Sequence, residues 1–198
     1  MNKIARPIVW VLGFAIALVA IYTAAFGIID EIYQRSITVA VSVILSIFAT
    51  PLAGLYQSDK KHIKAGQWAV DFILIFLMAL SILWFSSVYD ELESGLYSFL
   101  PIDIAVGCGG LIVVIEMTRR CFGTPLAFFA VLTIVYALFG ADLPWIFAHG
   151  GYDLESVMRT VWYSFDGVFG FIVIIVISLI FIFIIFGTVL EATGAGAT

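Results

Sequence analysis

Charge is scarce in this chain. Of 198 residues only 12% are Asp, Glu, Lys or Arg, while 63% are hydrophobic. A water-soluble domain of that length cannot hide so much apolar surface, so the surrounding solvent must be lipid. Sustained alternation of apolar and polar residues is missing too, which excludes the strand pattern of a membrane barrel. Backbone groups in hydrocarbon must then be satisfied inside helices. Cysteine is nearly absent: Cys108 and Cys121 lie in or beside apolar runs, and no Cys/His cluster has metal-site spacing. Both read as packing thiols.

Catalytic signatures are lacking as well. There is no nucleophile elbow, no phosphate-cradling glycine loop and no paired histidines. His62 and His149 fall in different loops on opposite sides and read as surface residues. No charged residue sits at the centre of an apolar run, so nothing has the form of a proton relay or voltage sensor. An intramembrane enzyme would have only Asp71 and Asp103 as acids at depth, and is disfavoured. The residues give no catalytic, cofactor-binding or metal-binding site, and no cofactor or nucleic-acid partner is expected.

What the chain does have is long apolar runs. Lys3 and Arg6 precede the first, Ile8 to Ile29. At about 22 residues it is too long for a signal-peptide core, and Thr23-Ala24-Ala25 is a weak cleavage site. It reads as a first span. Asp30, Glu31 and Arg35 form a polar turn before a second span, Ser36 to Tyr56. Thr38, Ser42, Ser46, Thr50 and Gly54 recur there in steps of four, a small-residue ridge suited to close helix packing and hydroxyl bonds across helices. A polar conduit lining is the weaker alternative. Pro51 is expected to kink this helix.

A basic loop with Lys60, Lys61 and Lys64 leads to a third span, Gln67 to Val88. Trp68, Trp84 and Tyr89 mark its ends as an interfacial belt would. Asp71, one turn inside, is expected to snorkel outward or to pair with a nearby lysine. Asp90, Glu91 and Glu93 form an acidic loop. The fourth span, Ile102 to Met117, carries Asp103 near its start, in the same position as Asp71, and would cover only about 24 Å. Ala105 and Gly109 form a small-xxx-small pair for packing.

Glu116, Arg119 and Arg120 make a charged knot ahead of Gly123-Thr124-Pro125, a topological anchor and a candidate domain boundary. A fifth span, Leu126 to Phe139, ends at Gly140, with Pro144 as a stop. Within the polar stretch Ala141 to Gly167, Leu154, Val157, Met158, Val161, Trp162 and Phe165 fall at helical spacing behind Asp153 as N-cap. This predicts a helix lying in the membrane interface. The sixth span is Val168 to Leu190.

Basic residues set the orientation. A cytoplasmic N-terminus places Lys3, Arg6, Lys60, Lys61, Lys64, Arg119 and Arg120 inside, leaving only Arg35 and Arg159 outside. All six spans then obey the positive-inside rule. The expected fold is all-α: a polytopic helical membrane protein of about six transmembrane helices, N-terminus cytoplasmic, with one interfacial amphipathic helix.

Five ordered stretches carry a resemblance: IEMTRRCFG (Ile115 to Gly123), YALFG with a following LP (Tyr136 to Gly140, Leu143, Pro144), AHGGY (Ala148 to Tyr152) and the long run DGVFG through GTVLEATGAG (Asp166 to Gly196), preceded by YTAAFG and QRS (Tyr22 to Gly27, Gln34 to Ser36). In that order they resemble the fused permeases of tripartite ATP-independent periplasmic (TRAP) transporters, in the branch that works with TAXI-type binding proteins. The resemblance implies a secondary transporter in the cytoplasmic membrane of a prokaryote. A small organic anion, typically a carboxylate, would be delivered by an extracytoplasmic binding protein and imported on a sodium or proton gradient.

The resemblance also implies two parts: residues 1–120, a small-subunit-like four-helix scaffold, and 121–198, a linker helix, the outward amphipathic segment and the first helix of the large transport domain. Fused permeases continue for several hundred residues further, so the chain is expected to be an N-terminal portion. Its partners would be the lipid bilayer, the binding protein and the remainder of the large domain. Substrate and ion sites lie in broken helices of that domain, so no substrate-binding residue is carried over. The alternative is a structural or assembly membrane protein without a solute pathway, since function argued from resemblance is associational.

Overall fold

The computed structural model describes residues 5–52, 61–144 and 148–194, and of residues 5 and 61–65 the backbone alone. Long apolar runs with no competing polar periodicity fold as helices, and no strand occurs among the described residues. In chain order they are α1 (Ala5–Phe26), α2 (Glu31–Ala49), α3 (Lys61–Glu93), α4 (Pro101–Phe122), α5 (Thr124–Phe139), α6 (Leu154–Val161) and α7 (Phe171–Ala192). All but α6 are long and apolar enough to cross a membrane. The protein is therefore an all-α, multi-pass membrane protein.

Several helix ends depart from the sequence expectation. Glu31 and Arg35 belong to α2 rather than to a turn, because Asp30 caps that helix by accepting the Ile32 and Tyr33 N–H groups at 3.1 and 3.2 Å. Pro51 does not kink α2: the helix stops at Ala49, with Thr50 as C-cap, so the proline terminates it. Position Gly54 of the small-residue ridge and the end of that span at Tyr56 lie outside the described residues, as does Lys60. Asp90, Glu91 and Glu93 ride on the last turns of α3, which at 33 residues spans about 50 Å and outruns the hydrocarbon.

The fourth span is not short. α4 has 22 residues, about 33 Å, because Arg119 and Arg120 continue the helix instead of ending it. Gly123, at φ 92°, makes the break to α5, a left-handed conformation that glycine adopts without strain. Gly140 ends α5 differently from a glycine stop. Its φ of −61° is right-handed, and its need for glycine is steric: a Cβ there would lie 1.8 Å from His149 Nε2.

The hydroxyls of the α2 ridge turn inward on their own helix. Thr38, Ser46 and Thr50 donate to the carbonyls of Gln34, Ser42 and Ser46 at 2.7–2.8 Å, so their bonds run along the helix, not across to a neighbour. Packing around α2 is extensive all the same, with α1, α3, α4 and the start of α7 as neighbours. α3 and α4 pair closely, and α4 in turn carries α5 and α6.

The core is an aromatic and aliphatic plug between α3, α4, α6 and the turns after it. Phe85, Trp162 and Phe169 are fully buried. Phe85 stacks on Phe169 at 4.9 Å and meets Tyr163 edge-on at 5.8 Å, while Trp162 meets Phe169 at 5.1 Å. Such pairs add directional attraction to plain burial. The helix α6 was expected to lie on the membrane. Its Val157 and Met158 are buried instead against the bundle, and Trp162 and Tyr163, just past its end, continue that contact. Its apolar face meets protein.

Candidate functional site

Polar side chains gather at the two ends of the bundle, and each gathering joins helices that are distant in sequence. At one end, the N-terminal turn of α4 presents Asp103, whose carboxylate is completely buried. Its Oδ2 accepts the Leu100 N–H at 2.6 Å, which caps the helix. Its Oδ1 accepts Trp84 Nε1–H from α3 at 2.6 Å and the Tyr97 hydroxyl at 2.9 Å. The carbonyl of the same residue accepts the Tyr163 hydroxyl at 2.7 Å. Four donors thus converge on one residue and tie α3, the α3–α4 loop, α4 and the segment after α6. Asp103 does not snorkel.

Those phenols record the acid beside them. Tyr97, in the loop, is pushed up to about 12 by burial and by its bond to Asp103. Tyr163 is raised as well, by burial first and then by the Asp103 charge. Both stay protonated donors at neutral pH.

Next to this node lies Arg35, near the start of α2, its side chain only 8% exposed. Nη1 donates to the Phe169 carbonyl at 2.9 Å, Nη2 to Glu31 at 2.9 Å, and the guanidinium sits 4.0 Å from the Phe165 ring centroid. A residue expected in a polar turn is in fact a clamp on the chain just before α7. The cation–π contact and the bond to the Phe169 carbonyl hold the buried guanidinium, with the exposed Glu31 at its outer edge. Gln34 beside it donates to the Thr23 hydroxyl of α1 and accepts the Ile29 N–H at 3.2 Å.

At the other end, Asp71 of α3 is 2% exposed and pairs with Arg120 of α4, whose side chain is fully buried. Asp71 was expected to reach water or a lysine. Its partner is an arginine from the neighbouring helix, and its second oxygen accepts the Leu52 N–H at 3.2 Å. Arg120 Nε also donates to Glu116 at 2.8 Å, and Arg119 holds the same carboxylate through Nε and Nη2 at 2.8 Å. The two acids and two arginines sum to zero charge, which is what a low-dielectric site tolerates.

The remaining sequence candidates divide. His149 is half-buried against the end of α5: Nε2 lies 3.0 Å from the Tyr136 carbonyl, and Nδ1 accepts the Gly151 N–H at 3.1 Å. It caps carbonyls that the helix leaves open. The side chain of His62 lies outside the described residues. Cys108 lies 3.6 Å from Met158 Sδ in the core, and Cys121 is exposed. Among the described residues no group of His, Cys, Asp and Glu could hold a metal ion. The arrangement binds helices to one another, and nothing in it poises a nucleophile or base against an open cleft. Sequence placed Arg120 in a charged knot with Glu116 and Arg119, which the structure forms, and Trp162 on an apolar helical face; the Asp71 partner of Arg120, the clamp of Arg35 and the role of Tyr97 were missed. For Arg120 a signal existed: Asp71 and Arg120 are opposite charges at matching ends of consecutive antiparallel spans. Comparison with protein-family models, with curated proteins and with solved structures finds no match for the chain.

Proposed function

We propose that the chain is the scaffold-and-link part of a TRAP-type permease in the cytoplasmic membrane of a prokaryote, serving uptake of a small organic anion delivered by a TAXI-type extracytoplasmic binding protein. The observation that carries this reading is the ordered series of motifs from Ile115 to Gly196. Two structural features support it. Buried Asp71 and Arg120 are engaged with one another and with Glu116, as suits a part that holds its shape while another part moves solute. One end of the bundle also carries Asp90, Glu91, Glu93, Asp142 and Asp153 exposed, an acidic face suited to steering a partner. With the N-terminus inside, that face points outward.

The test uses the complete transport system in its own cells. Replacing Asp90, Glu91 and Glu93 by lysine slows docking of the binding protein and alters the salt dependence of uptake, which is driven by a sodium or proton gradient. Unchanged uptake at every ionic strength contradicts the docking role. A second reading, a structural or assembly protein with no solute pathway, is favoured by the same mutual pairing of charges. It predicts that loss of the chain leaves carboxylate uptake intact while a different membrane complex fails to assemble.

A further inference from the structure

The sixth membrane-spanning helix is not regular along its length. α7 is α-helical over Phe171–Ile175, passes through a π turn at Val176–Ile180 and resumes as α-helix over Phe181–Ala192. A π turn amounts to one extra residue inserted in an α-helix; it shifts the hydrogen-bond ladder by a residue and is a common origin of kinks. In hydrocarbon any loosened backbone group is costly, so such a turn in the middle of a span calls for a reason. A hydroxyl is at hand where the ladder shifts: Ser178 Oγ donates to the Ile174 carbonyl at 2.7 Å.

The approach to the turn carries a polar clamp that its far side lacks among the described residues. Upstream, the Phe169 carbonyl is gripped by Arg35 at 2.9 Å, and the Phe169 ring is fully buried against Phe85 and Trp162. At the turn itself Ile177 is 1% exposed, the one buried residue of α7. Downstream, Phe181–Ala192 buries no residue and packs on α1. The chain is clamped at Phe169, just before α7, and pinned at Ile177, while neither Phe171–Ile175 nor Phe181–Ala192 buries a residue and the latter rests on α1.

We propose that the π turn at Val176–Ile180 is a hinge, about which the Phe181–Ala192 half of α7 swings relative to the clamped bundle. This rests on the helix geometry alone and does not depend on the transport reading. A hinge is a short segment absorbing a change of backbone angle between two rigid bodies, and here the bodies are the Arg35-clamped core and the terminal half-helix. The π turn stores the spare residue that lets the ladder shift without breaking.

Spin-label distance measurements on the full chain in lipid nanodiscs test it, with Cys108→Ala and Cys121→Ser as background. One label pair, Phe122→Cys with Glu191→Cys, spans α4 and the far half of α7. A control pair, Leu100→Cys with Phe171→Cys, spans α4 and the clamped entry. The hinge predicts a distance distribution for the first pair about twice as wide as that of the control. Deleting Leu179, an exposed residue of the turn, restores an unbroken α-helix and narrows the first distribution to the control width. Equal widths in the unmodified chain overturn the proposal, as does undiminished width after the deletion. Should the deleted form fail to fold, the comparison of the two pairs decides alone.

Discussion

Arg120 illustrates how much one side chain can hold in this protein. Its guanidinium bridges Asp71 on α3 and Glu116 on its own helix, with no exposure of the side chain. Removing one member of a buried pair strands the other's charge, whereas removing both leaves only a packing problem. Arg120→Met should therefore cost about 3–5 kcal/mol, while Asp71→Leu with Arg120→Met recovers most of the loss. Equilibrium unfolding in mixed micelles reads the difference, with Glu116 still satisfied by Arg119. Tyr97 offers a second residue-scale test. A free phenol ionises near pH 10, and the folded Tyr97 near 12. A folded value above the unfolded one gives stability that is complete below about pH 10 and disappears as pH rises through 12. Tyr97→Phe should lack that alkaline step, which phenolate absorbance and unfolding temperature together report.

At the scale of elements, the outer turns are held by shape as well as by hydrogen bonds. Gly107 and Gly110 open a notch in α4 that the Trp162 ring fills: a Cβ on Gly110 would lie 2.1 Å from Trp162 Cζ2. Gly110→Ala should drive the indole out and cost about 1–3 kcal/mol by overpacking, seen as a red-shifted Trp162 emission in a background without the other tryptophans. Trp162→Leu in the Gly110→Ala chain should regain part of the stability. This notch also shows where sequence reading reached its limit. Ala105 and Gly109 were legible as a packing pair, and the period of Leu154 to Phe165 as an apolar helical face, but the Gly107–Gly110 notch was not. What met what was not legible, because a helical face has the same spacing whether lipid or another helix covers it. Helix ends were misplaced for a related reason: Glu31 and Arg119 look like loop residues until their partners, Arg35 and Glu116, are known.

For the molecule as a whole, six apolar runs sufficed to give six spans, since in hydrocarbon a long apolar segment has no structure open to it but a helix. Lys and Arg placement predicts the side of the membrane each end faces, and the prediction is directly measurable. In intact cells of a cysteine-replaced background, a membrane-impermeant maleimide should label Ser94→Cys from outside and spare Phe122→Cys until the membrane is opened. The reverse pattern would invert the orientation and move the acidic face to the cytoplasm. The polar clusters were the least legible feature at this scale, because Asp71 with Arg120 and Arg35 with Phe169 join positions 49 and 134 residues apart.

The Asp71–Arg120 pair also bears on how the chain enters the membrane in the first place. Helices α3 and α4 each carry a charge that, inserted alone, opposes partitioning by up to about 3 kcal/mol at mid-bilayer and less toward the interface. Facing each other across the hairpin, the two charges cancel. Synthesis delivers α3 first, so the cancellation is available only once Arg120 has emerged. The loop between the helices, Ser94–Leu100, has only seven residues, so the second helix follows the first closely and the pair favours entry of the two as a hairpin.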